Sequence, residues 1–329
     1  MTLDRMEILD TGRQYTAHHG VSLPSQFYPE IAEVVSMSVA KNTGNILFDE
    51  VKNLIFEKCK IGDTFQETWS THWFKIEIKV PDNWVQEKRE VHFIWNAEGE
   101  AMIYNDEGKP LQGFIGERAD YRREAFYLIR GEKRNYTKGT FYVELVCTNL
   151  YGNFNNGNMF DGLNKDLKCQ LLKCHVATFN REAWDLYWDY KIVYESAKRL
   201  ETSKDSRSDQ ALLIGNAAMN ACIPRDKSTY AEAREITKKF LSTPNNDAQH
   251  KVYAVGHCHI DMAWLWPFSE TRRKGGRSWS TQTELMKHYE PFSFCASSSG
   301  LYEWVKHDYP KLFEEIKEYV LDKNPRFFL

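Results

Sequence analysis

One segment concentrates the side chains able to do chemistry: Gly256-His257-Cys258-His259-Ile260-Asp261-Met262-Ala263-Trp264-Leu265-Trp266-Pro267. It follows a short apolar run, Lys251-Val252-Tyr253-Ala254-Val255-Gly256, that suits a buried strand. Along an extended chain residues i and i+2 face the same way, so His259 and Asp261 can converge on one point. An imidazole nitrogen with a carboxylate oxygen is a common donor pair for a divalent cation, and the nitrogen favours zinc. Open α/β sheets gather ligand sites beyond the carboxyl ends of their strands, where this segment would lie. Two donors are half of what a structural zinc site needs. The same spacing also describes a hydrogen-bonded pair in which the carboxylate only orients the ring.

Other clusters compete for attention. His257, Cys258 and His259 could form a structural zinc site, but neighbouring residues of an extended chain point to opposite faces. Cys169, Cys174 and His175 fall in an alternating stretch and read as packing. Trp264 and Trp266 suit a core or its rim, or else flat platforms for the C–H faces of sugars. Thr271-Arg272-Arg273-Lys274 offers an anion site, with a solvated charge run as the default.

The elements that must position these residues follow from periodicity. Helix-like spacing is expected at 30–40 and 48–59, followed by a change to strict alternation. Phe74, Ile76, Ile78 and Val80 share one face of a strand, and Val91, Phe93 and Trp95 repeat the pattern, as do Phe141, Val143, Leu145 and Cys147. Asn105-Asp106-Glu107-Gly108 reads as a hairpin turn, and 167–179 closes the series, which indicates an antiparallel sandwich. From Asn180, as a cap, Ala183, Leu186, Tyr190, Val193, Ala197 and Leu200 form a helical stripe. A polar interruption at 201–209, a second helix to about Cys222 and a third from Ser228 to Leu241 complete a helical region. A loop at 242–250 marks a boundary. Beyond it, helical spacing at 281–289, an apolar run at 292–296 and helices at 300–306 and 310–320 indicate a parallel sheet with helices on its faces. The expected segments are therefore 1–60 helical, 61–179 β-sandwich, 180–250 helical linker and 251–329 the first part of a parallel α/β domain, a multidomain α+β chain.

Composition narrows the function classes. The 329 residues are 42% hydrophobic and 27% charged with a net charge of -3, which fits packed domains and gives no general polyanion-binding surface. Neither a nucleic-acid nor a membrane partner is expected, since no apolar run reaches about eighteen residues. The N-terminus lacks the apolar core of a secretory signal, and seven scattered cysteines fit reduced thiols, which together indicate a cytoplasmic location.

The segment from Val255 to Pro267 resembles the opening of the catalytic domain in class II α-mannosidases, glycoside hydrolase family 38. Glu270-Thr271-Arg272-Arg273-Lys274, then Arg277-Ser278-Trp279-Ser280-Thr281-Gln282 and Tyr302-Glu303-Trp304-Val305-Lys306, resemble its cytosolic/vacuolar branch. Upstream, Trp69-Ser70-Thr71-His72-Trp73-Phe74-Lys75 and Pro110-Leu111-Gln112-Gly113 are similar to that branch's N-terminal β domain. The resemblance covers roughly residues 60–320 in family order.

It implies that His259 and Asp261 are two of four protein ligands of one divalent metal, zinc or alternatively cobalt, and that Trp264 lies against a bound mannose. It further implies retaining hydrolysis of α-linked mannose in oligosaccharides, a homo-oligomeric full-length enzyme, and a cytoplasmic location or vacuolar/lysosomal delivery without a signal peptide. The nucleophilic aspartate and a further histidine ligand come later in the family pattern, so no catalytic residue is expected in this chain and the isolated chain should be inactive. Departures are Gly275-Gly276 in place of alanine-like residues, Ser298-Ser299-Gly300, and the tail from Asp322 to Leu329. They suggest a fragment, an alternative end or a misread gene boundary, and the alternative functional reading is a non-catalytic carbohydrate-binding or subunit-assembly module.

Overall fold

The computed structural model describes residues 22–116, 122–200, 206–244, 252–322 and 326–328. In chain order the first elements are β1 (Ile31–Glu33), β2 (Ser36–Ala40), a helical turn α1 (Phe48–Val51), β3 (Glu57–Lys58), β4 (Thr64–Gln66) and β5 (Thr71–Lys79). Next come α2 (Asp82–Gln86), β6 (Val91–Asn96), β7 (Glu100–Asn105), β8 (Pro110–Ile115), β9 (Ala125–Arg130), β10 (Arg134–Asn135) and β11 (Lys138–Val146). After β12 (Lys168–Gln170) and β13 (Lys173–Thr178) stand three helices, α3 (Arg181–Leu200), α4 (Ser206–Ala221) and α5 (Tyr230–Leu241). The last stretch holds β14 (Gly256–His257), α6 (Phe268–His288), β15 (Phe294–Cys295), α7 (Ser299–Asp308), α8 (Pro310–Leu321) and β16 (Phe327–Phe328). Two compact units result. One takes the described residues of Met1–Ile31 and Ala177–Val252, the other those of Ala32–Val176 and Tyr253–Leu329.

Alternation builds the second unit. A six-stranded sheet, β3-β2-β5-β11-β7-β8, faces a five-stranded one, β1-β13-β6-β9-β10. β5 pairs antiparallel with β11 and β2, and β7 with β11 and β8. Phe74, Ile76 and Ile78 of β5, with Phe141, Val143 and Leu145 of β11, share a core with Phe93, Trp95, Phe126 and Leu128 of the other sheet. Each such side chain contributes roughly 1.5–3 kcal/mol when removed from water. The intervening residues Trp73, Met102, Tyr104 and Tyr142 face the other way. They join Trp279 and Met286 of α6 and Leu301, Val305, Leu312 and Ile316 of α7 and α8 in a second core. The sheet is thus buried on both faces over β7, β8 and the paired ends 71–74 of β5 and 141–146 of β11. The turn between β7 and β8 is the expected hairpin, closed by Lys109 N donating to Asn105 Oδ1 at 2.8 Å. Gly108 takes φ +81°, and a Cβ there would collide with the Phe48 ring.

Several expectations are corrected. Within 30–40 there is no helix: β2 pairs with β5, Met37 packs on the sandwich core beside buried Val39, and the Ser36 hydroxyl donates to Glu77 at 3.0 Å. Pairing with β5 fixes period two over a stretch whose apolar residues also satisfied a helical spacing. Within 48–59 only one helical turn forms, because Phe48 must stack on Tyr104, with ring centroids 5.4 Å apart, before β3 rejoins the sheet. Residues 32–60 therefore belong to the sandwich unit rather than to a helical segment; 1–21 lie outside the described residues. The apolar run 252–255 is exposed and unpaired by any strand, and pairing starts only at Gly256. Within the turn Lys227–Thr229, Asp226 replaces Ser228 as the cap, accepting from Ser228 N at 3.0 Å.

The helices of the first unit follow their stripe. Ala183 N donates to Asn180 Oδ1 at 3.1 Å, which caps α3, and Ala183, Leu186, Tyr190, Val193 and Ala197 pack with Ala211, Ala218, Tyr230, Ala233 and Phe240 of α4 and α5. The expected boundary loop falls partly on 245–250, outside the described residues. In the second unit β14, β15 and β16 form a parallel three-stranded sheet. The tail expected to depart from the family supplies its third strand. No helix among the described residues is long and apolar enough to cross a membrane.

Candidate functional site

Beyond β14 the chain stays extended, and its side chains alternate. Cys258, Ile260 and Met262 turn inward onto the second core, with the Cys258 thiol 3.6 Å from Ser278 Oγ. His259 and Asp261 turn outward, 76% and 42% exposed, with Nε2 and Oδ1 3.0 Å apart. Two donors about 2.0–2.1 Å from one tetrahedral cation would stand about 3.3–3.4 Å apart. The pair at 3.0 Å is a few tenths of an ångström short of one edge of such a coordination sphere. That separation is the length of a direct hydrogen bond between ring and carboxylate. Among the described residues no group of three or more His, Cys, Asp or Glu is placed to hold a metal ion.

The rival clusters do not assemble. Cys258 points away from His259, as extended geometry requires. Cys169 and Cys174 are buried in the sandwich core. A cleft of about 400 Å³, lined by Phe48, Tyr104, Arg272, His307 and Asp308 among others, includes none of His259, Asp261 and Trp264.

Two anchors hold the loop that carries the pair. The Trp266 indole N–H donates to Thr271 Oγ1 at 2.9 Å, and the Thr271 hydroxyl donates to the Met262 carbonyl at 3.1 Å. Thr271 is fully buried in the first turn of α6 and so ties both arms of the loop to the helix. Farther out, the Trp264 N–H donates to the Tyr151 carbonyl at 3.2 Å.

The charge run after Thr271 is not solvated, which corrects the default reading. Arg273, Lys274 and Arg277 are buried against the six-stranded sheet. Arg273 Nε meets Glu144 at 3.0 Å, Arg277 Nε meets Glu100 at 2.9 Å, Lys274 bonds Glu100, and Arg277 also bonds Glu270. Burial disfavours the Glu100 carboxylate, but Arg277 and Lys274 outweigh it and hold the group below its usual range. Glu270 goes the other way: burial raises it, against Arg277 and Lys274 and with help from Glu100. An anion has no place in a set whose cations are already matched by carboxylates. Removing one partner of such a pair typically costs about 3–5 kcal/mol. The sequence carried only a hint of a buried carboxylate, since Glu144 interrupts the apolar run 141–146 that ends β11.

Close approach of α6 to the sheet depends on Gly113. A Cβ there would stand 3.0 Å from both the Cβ and the carbonyl oxygen of Arg277, and Gly113 N donates to Thr281 Oγ1 at 3.0 Å. The glycine of Pro110-Leu111-Gln112-Gly113 is thus a docking point for the helix that anchors the loop.

Comparison with known sequences bears on this arrangement. Residues 30–177 match the family described as alpha-mannosidase, jelly roll domain, and residues 249–328 match the glycosyl hydrolases family 38 N-terminal domain. The chain belongs to glycosyl hydrolase family 38. The family 38 match runs through the tail to residue 328. The chain is 35% identical to alpha-mannosidase G of Dictyostelium discoideum, over 88% of this chain and 26% of that protein. It is 34% identical to alpha-mannosidase 2C1 of Homo sapiens, over 97% and 30%, and 31% identical to the alpha-mannosidase of Saccharomyces cerevisiae, over 82% and 25%. It therefore spans between a quarter and a third of the length of these curated relatives. Among solved structures, a Bacteroides uniformis beta-glucuronidase aligns with TM-score 0.28 at 15% identity over 46% of this chain and 18% of that one, which carries no argument.

Proposed function

We propose that this family 38 chain supplies the jelly-roll domain and the first part of the catalytic domain of a metal-dependent, retaining α-mannosidase acting on terminal α-linked mannose of oligosaccharides. The observation that carries the reading is the convergence of His259 Nε2 and Asp261 Oδ1, 3.0 Å apart, just beyond the carboxyl end of a parallel strand. His259 and Asp261 are two of the ligands of one divalent cation, zinc or cobalt, and Trp264 presents an indole face to the sugar. Bound there, the cation supplies Lewis acidity and a template for neighbouring sugar hydroxyls. Thr271 fixes the loop, so both donors are presented before any ligand arrives. Retaining hydrolysis needs a carboxylate nucleophile and an acid/base carboxyl group. We assign neither to a residue of this chain, so the 329-residue polypeptide alone does not turn over. Seven unpaired cysteines favour a reducing, cytoplasmic compartment.

Calorimetric titration of zinc into the chain tests the assignment. A site that disappears in the His259→Ala/Asp261→Ala double variant is expected, with no turnover of a chromogenic α-mannoside by either protein. Zinc uptake unchanged in the double variant would remove the metal site. Robust turnover by the chain would remove its catalytic incompleteness.

A further inference from the structure

We propose that the loop 148–153, carried by the β-sandwich, forms one wall of the sugar site, with Tyr151 a second aromatic platform beside Trp264. The proposal rests on the reading of Trp264 as a sugar-facing residue. Three observations lead to it. First, the two loops are stapled together: the Trp264 N–H donates to the Tyr151 carbonyl at 3.2 Å, and Lys274 Nζ donates to the neighbouring Leu150 carbonyl at 3.1 Å. The same ammonium lies 4.8 Å from the centroid of the Trp266 ring, so one buried cation serves both loops.

Second, the loop 148–153 is built to hold its shape. Asn153, fully buried, accepts from Asn149 N at 2.7 Å and donates to the Cys147 carbonyl at 3.3 Å, closing the loop on itself. Gly152 takes φ +113°, and a Cβ there would press on the Phe154 ring at 2.9 Å. Third, the two joined residues are both well exposed, Tyr151 at 66% and Trp264 at 45%. A rigid loop that fixes an exposed tyrosine beside an exposed tryptophan through its backbone carbonyl brings two aromatic side chains with polar edges to one place. That chemistry fits consecutive pyranose rings better than a charged or fully apolar ligand. Trp264 takes the terminal sugar and Tyr151 the next, so Tyr151 reads chain length.

Ligand-observed NMR titrations of the chain with methyl α-mannoside and with an α-linked mannotriose distinguish the roles. Tyr151→Ala is expected to weaken mannotriose binding about fivefold to tenfold, the loss of one ring contact, and to leave methyl α-mannoside within twofold. Trp264→Ala should weaken both sugars, and Tyr151→Phe should bind mannotriose as wild type does, which separates ring stacking from loss of fold. Mannotriose binding unchanged in Tyr151→Ala while Trp264→Ala loses both sugars overturns the second platform and leaves the site reading intact. Absence of binding of either sugar to the wild-type chain overturns both.

Discussion

Glu284 of α6 sits among Arg134, Lys287 and His288: Arg134 donates to its Oε2 at 2.8 Å, and His288 Nε2 lies 2.9 Å from its Oε1. Burial alone would raise this carboxyl group, but the His288 hydrogen bond and the Arg134 and Lys287 charges prevail and lower it from 4.5 to about 2. The folded value is the depressed one, so the native state gains from the ionised form. That stability is present above about pH 4.5 and drains away as pH falls toward 2, a loss of roughly 3 kcal/mol. Urea denaturation at pH 7 and pH 3 should show a midpoint that drops less in Glu284→Gln than in the wild-type chain, from a lower start at pH 7. At this scale the sequence was legible where geometry is local. The i, i+2 rule put His259 and Asp261 together. It could not reveal Glu144 and Glu100 as partners of Arg273 and Lys274, because those pairs span 129 and 174 residues.

At the scale of the element, α6 shows how one helix serves two neighbours. Its adjacent glycines stand where the family resemblance led us to expect alanine-like residues, and the structure separates them. A Cβ on Gly275 would meet Val305 and Leu301 at 3.7 and 3.8 Å, ordinary contact distances. A Cβ on Gly276 would lie 2.5 Å from the buried Tyr309 ring, so ring or helix must shift to admit it. Gly275→Ala should therefore stabilise the chain by about 0.5–1 kcal/mol through helix propensity. Gly276→Ala should destabilise it by about 1–3 kcal/mol through overpacking. Paired denaturation curves check both signs. Period was the weak guide here: the helical spacing read at 281–289 is the last third of a 21-residue helix. Five of its first ten residues are charged, and Arg273, Lys274 and Arg277 pack against carboxylates of the sheet, which hides the apolar stripe in this part of the helix.

At the scale of the molecule, the two family matches, 30–177 and 249–328, meet within one compact unit, since residues 32–176 and 253–329 share the second core. Sequence alone drew a boundary between them because the helical unit intervenes in the chain, and chain order hides which distant segments share a core. Residues 30–177 produced alone should leave Trp73, Met102, Tyr104 and Tyr142 uncovered, with Glu100 and Glu144 unpaired beside them. Strong fluorescence of a hydrophobic dye and concentration-dependent aggregation are expected, both suppressed when 253–329 is supplied in trans. A well-behaved monomer that ignores the dye would show that the sheet does not need its helical cover.

Gly113 carries this to protein engineering. A chimera that grafts the loop of His259 and Asp261, with α6, onto a foreign sandwich inherits a lock as well as a key. The host must offer a bare backbone at the position of Gly113 and acids at those of Glu100 and Glu144, or the graft will sit proud of its seat.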